Sequence, residues 1–438
     1  MKVIIAGAGI GGLATAIGLR RAGHDITEGQ IFERSSLLRE NGAAINVCPN
    51  VSPVLREWGF DNDRARMGIA RRYVLALGNT LETKQDVEYP DFLQLYGGHW
   101  LVAHRVDLHS ELKRLATDPD GPGKPAELVL RSEVINYDSE AGSITLADGS
   151  IHHGDLVVAA DGVHSAAASH VVGHDNPAVS SGLALFRFLI STDELFRDPE
   201  LVPILKEGFT KIEDGVMRTL ITEDSIKRMV WFPCANNTIQ NFAIYQGDTN
   251  PDCPEENGDT LTHVENMISH VQDYHPHIVQ IIRKATSVKR WPLLYRDPLP
   301  TLTKGQLVII GDAAHPMLPH QGQGGAQAIE DAAALSVVFA DLPVNPSKDE
   351  IRRRLVVFDK IRLRRASAFQ IISNTTQDKS WKIRERAQQY MPEGVGVPTC
   401  PAEFWEHNFG YDILEDSRRH MKTYLEGTVS RCNECDEI

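Results

Sequence analysis

The residues best suited to chemistry lie in a glycine-rich stretch that begins at Gly311. An apolar run over residues 307–310 predicts a short buried strand, and Asp312 follows at its carboxyl end, where α/β proteins usually hold ligands. The candidate residues of the turn that comes next are Pro316, Gly324 and Gly325. An alanine-rich helix is predicted from about residue 326, and unpaired N–H groups at a helix start favour an anion. A plain strand-turn-helix connection with packing glycines is the alternative interpretation.

A second glycine pattern lies at the amino terminus, between a predicted strand at residues 3–6 and a predicted helix at residues 13–22. Its glycines are Gly7, Gly9 and Gly12. A further strand, interrupted at residues 28–30 for no functional reason that we can give, leads to Glu33. This carboxylate could accept the ribose hydroxyl hydrogens of an adenine dinucleotide. The order of strand, glycines, helix, strand and acid predicts a dinucleotide-binding unit.

Two more positions could contact the same ligand. Asp161 follows a buried apolar run, so a carboxylate again lies at a strand tip, although such an Asp-Gly pair is often only a turn. Arg105 precedes a helix predicted over residues 108–116, with Asp107 as its N-terminal cap. An arginine there could bind a pyrophosphate or ribityl group, and an exposed surface arginine is the alternative.

Composition restricts the class of protein. The chain has 438 residues, of which 42% are hydrophobic and 24% charged, which is typical of a globular protein with room for two domains. Its formal charge of -14 argues against a general nucleic-acid or anionic-membrane binder. Six scattered cysteines predict free thiols and no metal site. No apolar run approaches the roughly 18 residues of a membrane span, so we expect a cytoplasmic protein.

Three motifs together resemble a known family. GAGIGG with Glu33, ADGVHS, and GDAAHPMLPHQGQGGAQAIEDAA are similar to the single-component, FAD-dependent aromatic hydroxylases, in particular the salicylate-hydroxylase-like monooxygenases. The resemblance covers residues 1 to about 375. It implies an α/β fold in which a glutathione-reductase-like (Rossmann-type) FAD domain is interleaved with a mixed-sheet substrate domain, followed by C-terminal helices. The implied parts are 1–177 and 299–375 for FAD, 178–298 for substrate with a contribution from about 70–100, and 376–438 as a helical extension.

The resemblance also implies site residues and a reaction. It assigns to the FAD cofactor Gly7, Gly9, Gly12, Glu33, Arg34, Ala44, Arg105, Asp161, Asp312, Gly324 and Gly325. NADH or NADPH would reduce FAD, molecular oxygen would add to it, and the flavin hydroperoxide would hydroxylate a small aromatic substrate. Epoxidation or oxidation of an apolar substrate, and a non-catalytic flavin-binding protein, are the alternatives. A monomer or a homodimer is expected.

The middle of the chain is expected to supply the substrate pocket. Strands are predicted at residues 183–190, 218–222, 229–232 and 241–245, and alternating residues suggest more strands over 73–95. Arg187 lies in the first of these strands; in relatives a comparable arginine faces the substrate, so we assign it and Pro316 to catalysis. A charge on a solvated strand face is the alternative.

Other positions depart from the family pattern or lie beyond its motifs. Phe232 stands where some relatives have a tyrosine, which puts a proton relay at that position in doubt. Ala168 stands where the family pattern has an arginine, which puts the contact to the nicotinamide donor in doubt. The arginines at 352–354 and 362–365 are expected on the solvated face of a helix over residues 349–372. Aromatic residues beyond Trp381 suggest that the tail packs on the protein or on a second subunit.

Overall fold

A computed structural model describes residues 1–26, 30–36, 43–222, 227–248, 260–343 and 345–435. The interruption at Glu28 and Gly29, and Cys253, lie outside these residues. Within them the chain has a mixed α/β fold, as expected. The strands are β1 (Val3–Ala6), β2 (Ile31–Glu33), β3 (Ala44–Val47), β4 (Gly68–Ile69), β5 (Arg72–Leu77), β6 (Thr83–Glu88), β7 (Leu101–His104), β8 (Leu128–Leu130), β9 (Val134–Asp138), β10 (Ser143–Leu146), β11 (Ile151–His153), β12 (Leu156–Ala159), β13 (Val179–Ser191), β14 (Val216–Ile221), β15 (Arg228–Cys234), β16 (Ile239–Gly247), β17 (Val288–Tyr295), β18 (Thr303–Lys304) and β19 (Leu307–Ile309).

The helices surround the sheets and form most of the C-terminal part of the chain. They are α1 (Ile10–Arg21), α2 (Ser52–Glu57), α3 (Phe92–Tyr96), α4 (Arg105–Thr117), α5 (Ala167–Val172), α6 (Thr192–Arg197), α7 (Thr260–His270), α8 (Pro276–Ile282), α9 (Gly324–Val338), α10 (Lys348–Ile372), α11 (Arg384–Gln388), α12 (Pro401–Phe409) and α13 (Ile413–Cys435). In the described parts of the chain, no helix has both the length and the apolar character needed to cross a membrane.

A six-stranded sheet in the order β18-β19-β12-β1-β2-β8 brings the predicted motifs together. The strands β1, β2, β12 and β19 run parallel, with Ala6 beside Phe32 and Ala159, and Ala159 beside Ile309. Their carboxyl ends therefore share one edge. Fully buried apolar residues form β1, β12 and β19, as expected for a parallel sheet covered on both faces.

Helices α1 and α9 pack closely against each other. A Cβ atom on Gly18 would lie 2.8 Å from Ser336 Cβ, so only glycine allows this approach. The two glycine-rich turns that precede these helices are thereby held at the same edge of the six-stranded sheet.

A seven-stranded sheet in the order β17-β13-β16-β15-β14-β5-β6 forms a second layer. One face contributes Phe186, Trp231 and Phe242 to a core that also includes side chains of α7 and α8. Since side chains alternate along a strand, the neighbouring residues of these strands face the other way. All four strands predicted in the middle of the chain are present here. The expectation of strands up to residue 95 was wrong at its end, where Asp91 caps α3 by accepting from Gln94 N at 3.2 Å.

The arginines of α10 are not all on a solvated face. Arg354 and Arg362 are buried, which contradicts the expected exposure of this run. Their guanidinium groups are paired with side chains and carbonyls of α9 and its end, so burial leaves them satisfied. The helix is therefore held to α9 by charges as well as by its apolar residues.

Smaller sheets complete the structure. They have the orders β11-β10-β9 and β3-β7-β4.

Candidate active site

A cavity of about 1130 Å³ lies between the edge of the six-stranded sheet and the free face of the seven-stranded sheet. Its lining includes Gly9, Gly162 and Gly311 from the strand-end turns, and Arg187 and Tyr245 from the sheet face. Ligand cavities usually measure about 300–1,000 Å³, so this one can hold part of a large ligand and a second small molecule.

The amino-terminal glycines have two different structural roles. Gly7 has φ +96°, and a Cβ atom on it would lie 2.4 Å from Ala160 O; a Cβ on Gly12 would lie 1.9 Å from Gly7 O. Both positions therefore require glycine for packing within the protein. Gly9 lines the cavity, and no atom of the described residues lies within 4 Å of its Cβ position, so its backbone is open to a ligand.

Glu33 and Asp161 fix the loops at the strand tips. Glu33 accepts from Ala8 N at 2.9 Å and from Ser35 N at 2.8 Å, which ties the tip of β2 to the glycine turn. Asp161 Oδ2 accepts from Tyr137 Oη at 2.5 Å, and its buried Oδ1 has no hydrogen-bond partner among the residues that the structure describes. Burial raises the pKa of Asp161, while hydrogen bonds and the nearby exposed Arg34 oppose this rise.

Asp312 and Arg105 meet at the cavity. The Asp312 side chain is accessible from the cavity, yet the surrounding protein raises its pKa, with His315 and Arg105 opposing the rise. Arg105 is the first residue of α4. Ala44 also lines the cavity, and its N donates to Asn241 Oδ1 at 3.1 Å.

The predicted cap of α4 was wrong. The helix begins at Arg105, with His104 at its N-cap and no side-chain cap. Asp107 instead accepts from Arg66 Nη2 at 2.7 Å.

The glycine-rich turn, defined here as residues 316–325, borders the cavity from residue 317 onwards. Pro316 itself is buried and is not one of the lining residues. Helix α9 begins at Gly324, two residues earlier than predicted, and this helix start is open to the cavity. A Cβ on Gly325 would lie 2.9 Å from Ile45 Cδ1, so glycine is needed there for packing.

A buried charge network that sequence reasoning missed supports this turn. Asp331 Oδ2 accepts from Gly311 N at 2.9 Å and lies 2.6 Å from His315 Nε2, while Oδ1 accepts from Arg362 Nε at 2.8 Å. Burial alone would raise the pKa of Asp331, but His315 and Arg362 outweigh it and lower the pKa. Glu330 is held in the same way by Arg362 and Arg365.

Alternate residues of the seven-stranded sheet form the opposite wall. Leu185 and Arg187 of β13 line the cavity, while Phe186 between them lies in the core. Lining residues of the neighbouring strands are Asn241, Ala243, Tyr245, Arg228, Val230, Phe232, Thr219, Ile221, Tyr73, Leu75, Gln85 and Val87. Residues from the stretch of about 70–100 thus line the same cavity, and their part in a substrate pocket stays a prediction.

Arg187 is the unpaired cation of this wall. Among the described residues its guanidinium has no hydrogen bond or ion pair, and burial lowers its pKa. It therefore faces the cavity rather than bulk solvent, and its catalytic assignment stays a prediction. Tyr245, not identified from sequence, stacks on His320 of the glycine-rich turn with ring centroids 5.4 Å apart. Burial raises the pKa of Tyr245, against the influence of Arg187 and Arg228, so its hydroxyl is neutral at pH 7.

The two departures from the family pattern have clear positions. Phe232 lines the cavity and is 5% exposed, so it adds apolar surface where a hydroxyl was expected. Ala168 is fully buried in the main core and does not line the cavity. Of the cysteines, Cys48 and Cys234 are buried free thiols and Cys400 is an exposed one.

Comparison with known proteins decides the family. A family model described as an FAD binding domain matches residues 1–345. Over 430 residues the chain is 38% identical to the FAD-dependent monooxygenase cfoG of Aspergillus candidus, with 97% of this chain and 96% of that protein covered. The chain belongs to the FAD-dependent monooxygenases. The family inferred from the motifs, and FAD as cofactor, are thereby confirmed.

Other FAD-dependent monooxygenases and related structures extend the comparison. The chain is 30% identical to hispidin-3-hydroxylase of Neonothopanus nambi, with 98% of each protein covered. The crystal structure of CtdE in complex with FAD and a substrate superposes with a TM-score of 0.78 at 20% identity, covering 98% of this chain and all of that one. At this identity the superposition establishes the shared fold.

Proposed function

We propose that this FAD-dependent monooxygenase hydroxylates a small aromatic substrate that carries an acidic hydroxyl or carboxyl group. One substrate, one O₂, one NADH or NADPH and one proton would give the hydroxylated product, the oxidised nicotinamide and water. The unpaired Arg187, facing a cavity bordered by three strand-end turns, is the observation that carries the proposal. The names of the relatives, a monooxygenase and a hydroxylase, support the reaction class.

The residues at the sheet edge fit the FAD cofactor. In a glutathione-reductase-like arrangement the turn at Gly7, Gly9 and Gly12 would hold the pyrophosphate, and Glu33 with Arg34 the adenosine. The open face of Gly9 and the unpartnered Oδ1 of Asp161 are consistent with a bound polar group. We assign the ring end of FAD to Ala44, Arg105, Asp312, Gly324 and Gly325, of which all five line the cavity.

We further propose the domain division expected from the resemblance. Residues 1–177 and 299–375 would form the FAD domain and 178–298 most of the substrate domain, with 376–438 as an extension. In support, β13 to β17 all lie in the seven-stranded sheet, whereas β1, β12 and β19 lie in the six-stranded one. Strands β5 and β6 also join the seven-stranded sheet, so the amino-terminal part of the chain would contribute to the substrate domain.

When bound, FAD supplies the redox chemistry, accepting a hydride from the nicotinamide and activating O₂. The protein supplies position and charge. The N–H groups at the start of α9 would stabilise negative charge at the cofactor ring. Leu185, Val230 and Phe232 would exclude water, which limits side reactions.

Arg187 and Tyr245 would bind the acidic group of the substrate. A guanidinium donates charge-assisted hydrogen bonds to a carboxylate or phenolate, and a neutral Tyr245 hydroxyl can donate another. These bonds would fix one edge of the aromatic ring and direct the carbon to be hydroxylated towards the cofactor. Arg187 would thereby gain a counter-charge that it does not have among the described residues.

A panel experiment tests this function. The purified, FAD-loaded protein is incubated with NADH or NADPH and a set of phenols, aromatic acids and their neutral analogues. We expect faster donor oxidation with at least one acidic aromatic and a product heavier by one oxygen atom. Products of unchanged oxygen content would favour simple oxidation. Donor oxidation that no aromatic stimulates would overturn the proposal.

A further inference from the structure

The C-terminal part of the chain contributes directly to the cavity. We call residues 399–409, which include α12, the C-terminal wall. Thr399, Cys400, Pro401, Phe404 and Trp405 of this wall line the same cavity as Arg187. They lie beyond the matched family region and beyond the motifs that bind FAD, so another role is needed to explain their position.

Aromatic contacts anchor the C-terminal wall. The Trp405 ring meets Phe92 edge to face, with centroids 5.4 Å apart, and meets Tyr89 in the same manner at 6.1 Å. Phe409 lies 5.4 Å from both Phe92 and Trp100. Tyr89 and Trp100 themselves line the cavity. The wall is therefore packed against fixed rings rather than lying loosely across an opening.

Charged and polar contacts connect the wall to the glycine-rich turn. Arg365 donates to His407 O at 3.2 Å and Asn408 O at 3.3 Å, and the same guanidinium binds Glu330 of α9 with two bonds of 2.8 Å. Gln377, which precedes α11 and also lines the cavity, donates from Nε2 to Gln321 Oε1 of the turn at 3.2 Å. The position of the wall is thus fixed relative to the elements that border the cofactor.

We propose that the C-terminal wall, through Trp405, determines which substrates fit, by limiting the size of the aromatic ring system. Trp405 presents a bulky ring to the cavity, and two other aromatic lining residues, Tyr89 and Trp100, belong to the same aromatic cluster. Hydrophobic pockets discriminate by shape, and even a single methylene changes kcat/KM by about 10–200-fold. The inference rests on the proposed function, since it concerns the substrate of that same cavity.

The test compares Trp405→Ala with Trp381→Ala. Trp381 is 66% exposed and does not line the cavity, so it controls for the loss of an indole from the C-terminal region. For each protein, kcat, KM and ligand affinity are measured with a one-ring hydroxybenzoate and its two-ring hydroxynaphthoate counterpart. In Trp405→Ala we expect the two-ring to one-ring ratio of kcat/KM to rise at least about tenfold, mainly through KM. Trp381→Ala should keep the wild-type ratio.

Chemical modification gives a second test that does not depend on the folding of Trp405→Ala. Cys400 is exposed and lines the cavity, whereas Cys48 and Cys234 are buried. A bulky maleimide attached to Cys400, verified by mass, should weaken binding of the two-ring ligand more than of the one-ring ligand. Cys400→Ser protein treated in the same way should show no such change.

The outcomes separate the two proposals. A wild-type protein that binds and oxidises no aromatic would refute the proposed function. The size-limiting role of the wall is refuted if the wild-type protein is active but both tryptophan variants have the same two-ring to one-ring ratio of kcat/KM. It is also refuted if labelling Cys400 changes the affinity for neither the two-ring nor the one-ring ligand.

Discussion

Replacing Arg187 by methionine should weaken the binding of an acidic aromatic substrate without lowering the stability of the ligand-free protein. The guanidinium faces the cavity without a counter-charge among the described residues, and burial lowers its pKa, so its charged form carries an uncompensated desolvation penalty. Methionine retains length and apolar contacts but removes the charge. The ligand-free variant should therefore be as stable as the wild type, or more stable. Such a residue reduces stability in exchange for function.

The effect on binding follows from the bond that would be lost. A hydrogen bond to a charged group contributes about 1.5–3 kcal/mol. Since about 1.4 kcal/mol corresponds to a factor of ten, Arg187→Met should bind an aromatic carboxylate about 10- to 150-fold more weakly. The corresponding neutral amide makes no ion pair with Arg187 but can still accept a hydrogen bond from it, so its affinity should fall less than that of the carboxylate.

The assay titrates FAD-loaded protein with a hydroxybenzoate and with its amide, following the flavin absorbance, and records the Tm of the same samples. Lys289→Met is the matched control, because Lys289 lies opposite Arg187 on β17 but does not line the cavity. A lower Tm in Arg187→Met together with an unchanged ratio of the two affinities would show that Arg187 is structural, and would refute the reasoning.

Three further predictions concern the cofactor site and the fold. Gly9→Ala should keep the Tm of the FAD-free protein but weaken FAD binding, because the added methyl meets no atom of the described residues within 4 Å. Gly12→Ala places a Cβ 1.9 Å from a carbonyl oxygen, so it should lower both the Tm and the affinity for FAD. Equal Tm losses in the two variants would contradict this. Asp331→Asn breaks the buried charge pair with Arg362, which should lower the free energy of unfolding by about 3–5 kcal/mol and the Tm by about 3–5 °C. FAD retention should weaken as well. An unchanged Tm would argue against the supporting role of Asp331. Burial lowers the pKa of His24 from 6.5 to about 4, so the unfolded chain takes up a proton at higher pH than the folded one, and stability is lost on acidification. Between pH 8 and pH 5 this loss is about 2 kcal/mol, or about 2 °C in Tm. The fall in Tm between pH 8 and pH 5 should therefore be smaller in His24→Gln than in the wild type by that amount. The same fall in both proteins would exclude His24 as the source.

Much of the site could be predicted because its elements obey local rules. Buried apolar runs followed by Gly7, Asp161 and Asp312 indicate parallel strands, and the carboxyl ends of parallel strands share an edge. Arg187 stood out as a charge inside an apolar strand. Its direction, towards a cavity or towards water, depends on what covers the sheet face, and the sequence of the strand alone does not contain that information.

One kind of wrong prediction concerns residues whose interaction partners are distant in sequence. Arg362 looks like a surface residue within a run of arginines, but it is buried because Glu330 and Asp331 meet it from another helix. The end of the strand predicted up to residue 95 was a different kind of error. Asp91 as a cap and Gly97, with φ +74°, as a helix end were local signals that could have predicted α3. The C-terminal wall had no motif, since only its tertiary contacts place it at the cavity.

Oxygen labelling tests the central claim most directly. The FAD-loaded protein is supplied with NADH or NADPH, an acidic aromatic and dioxygen labelled with oxygen-18, and the product is examined by mass spectrometry. We predict one labelled oxygen atom in each product molecule and one donor molecule consumed for each. Donor oxidation that yields only hydrogen peroxide, with no label in any aromatic of the panel, would contradict the proposed monooxygenase reaction.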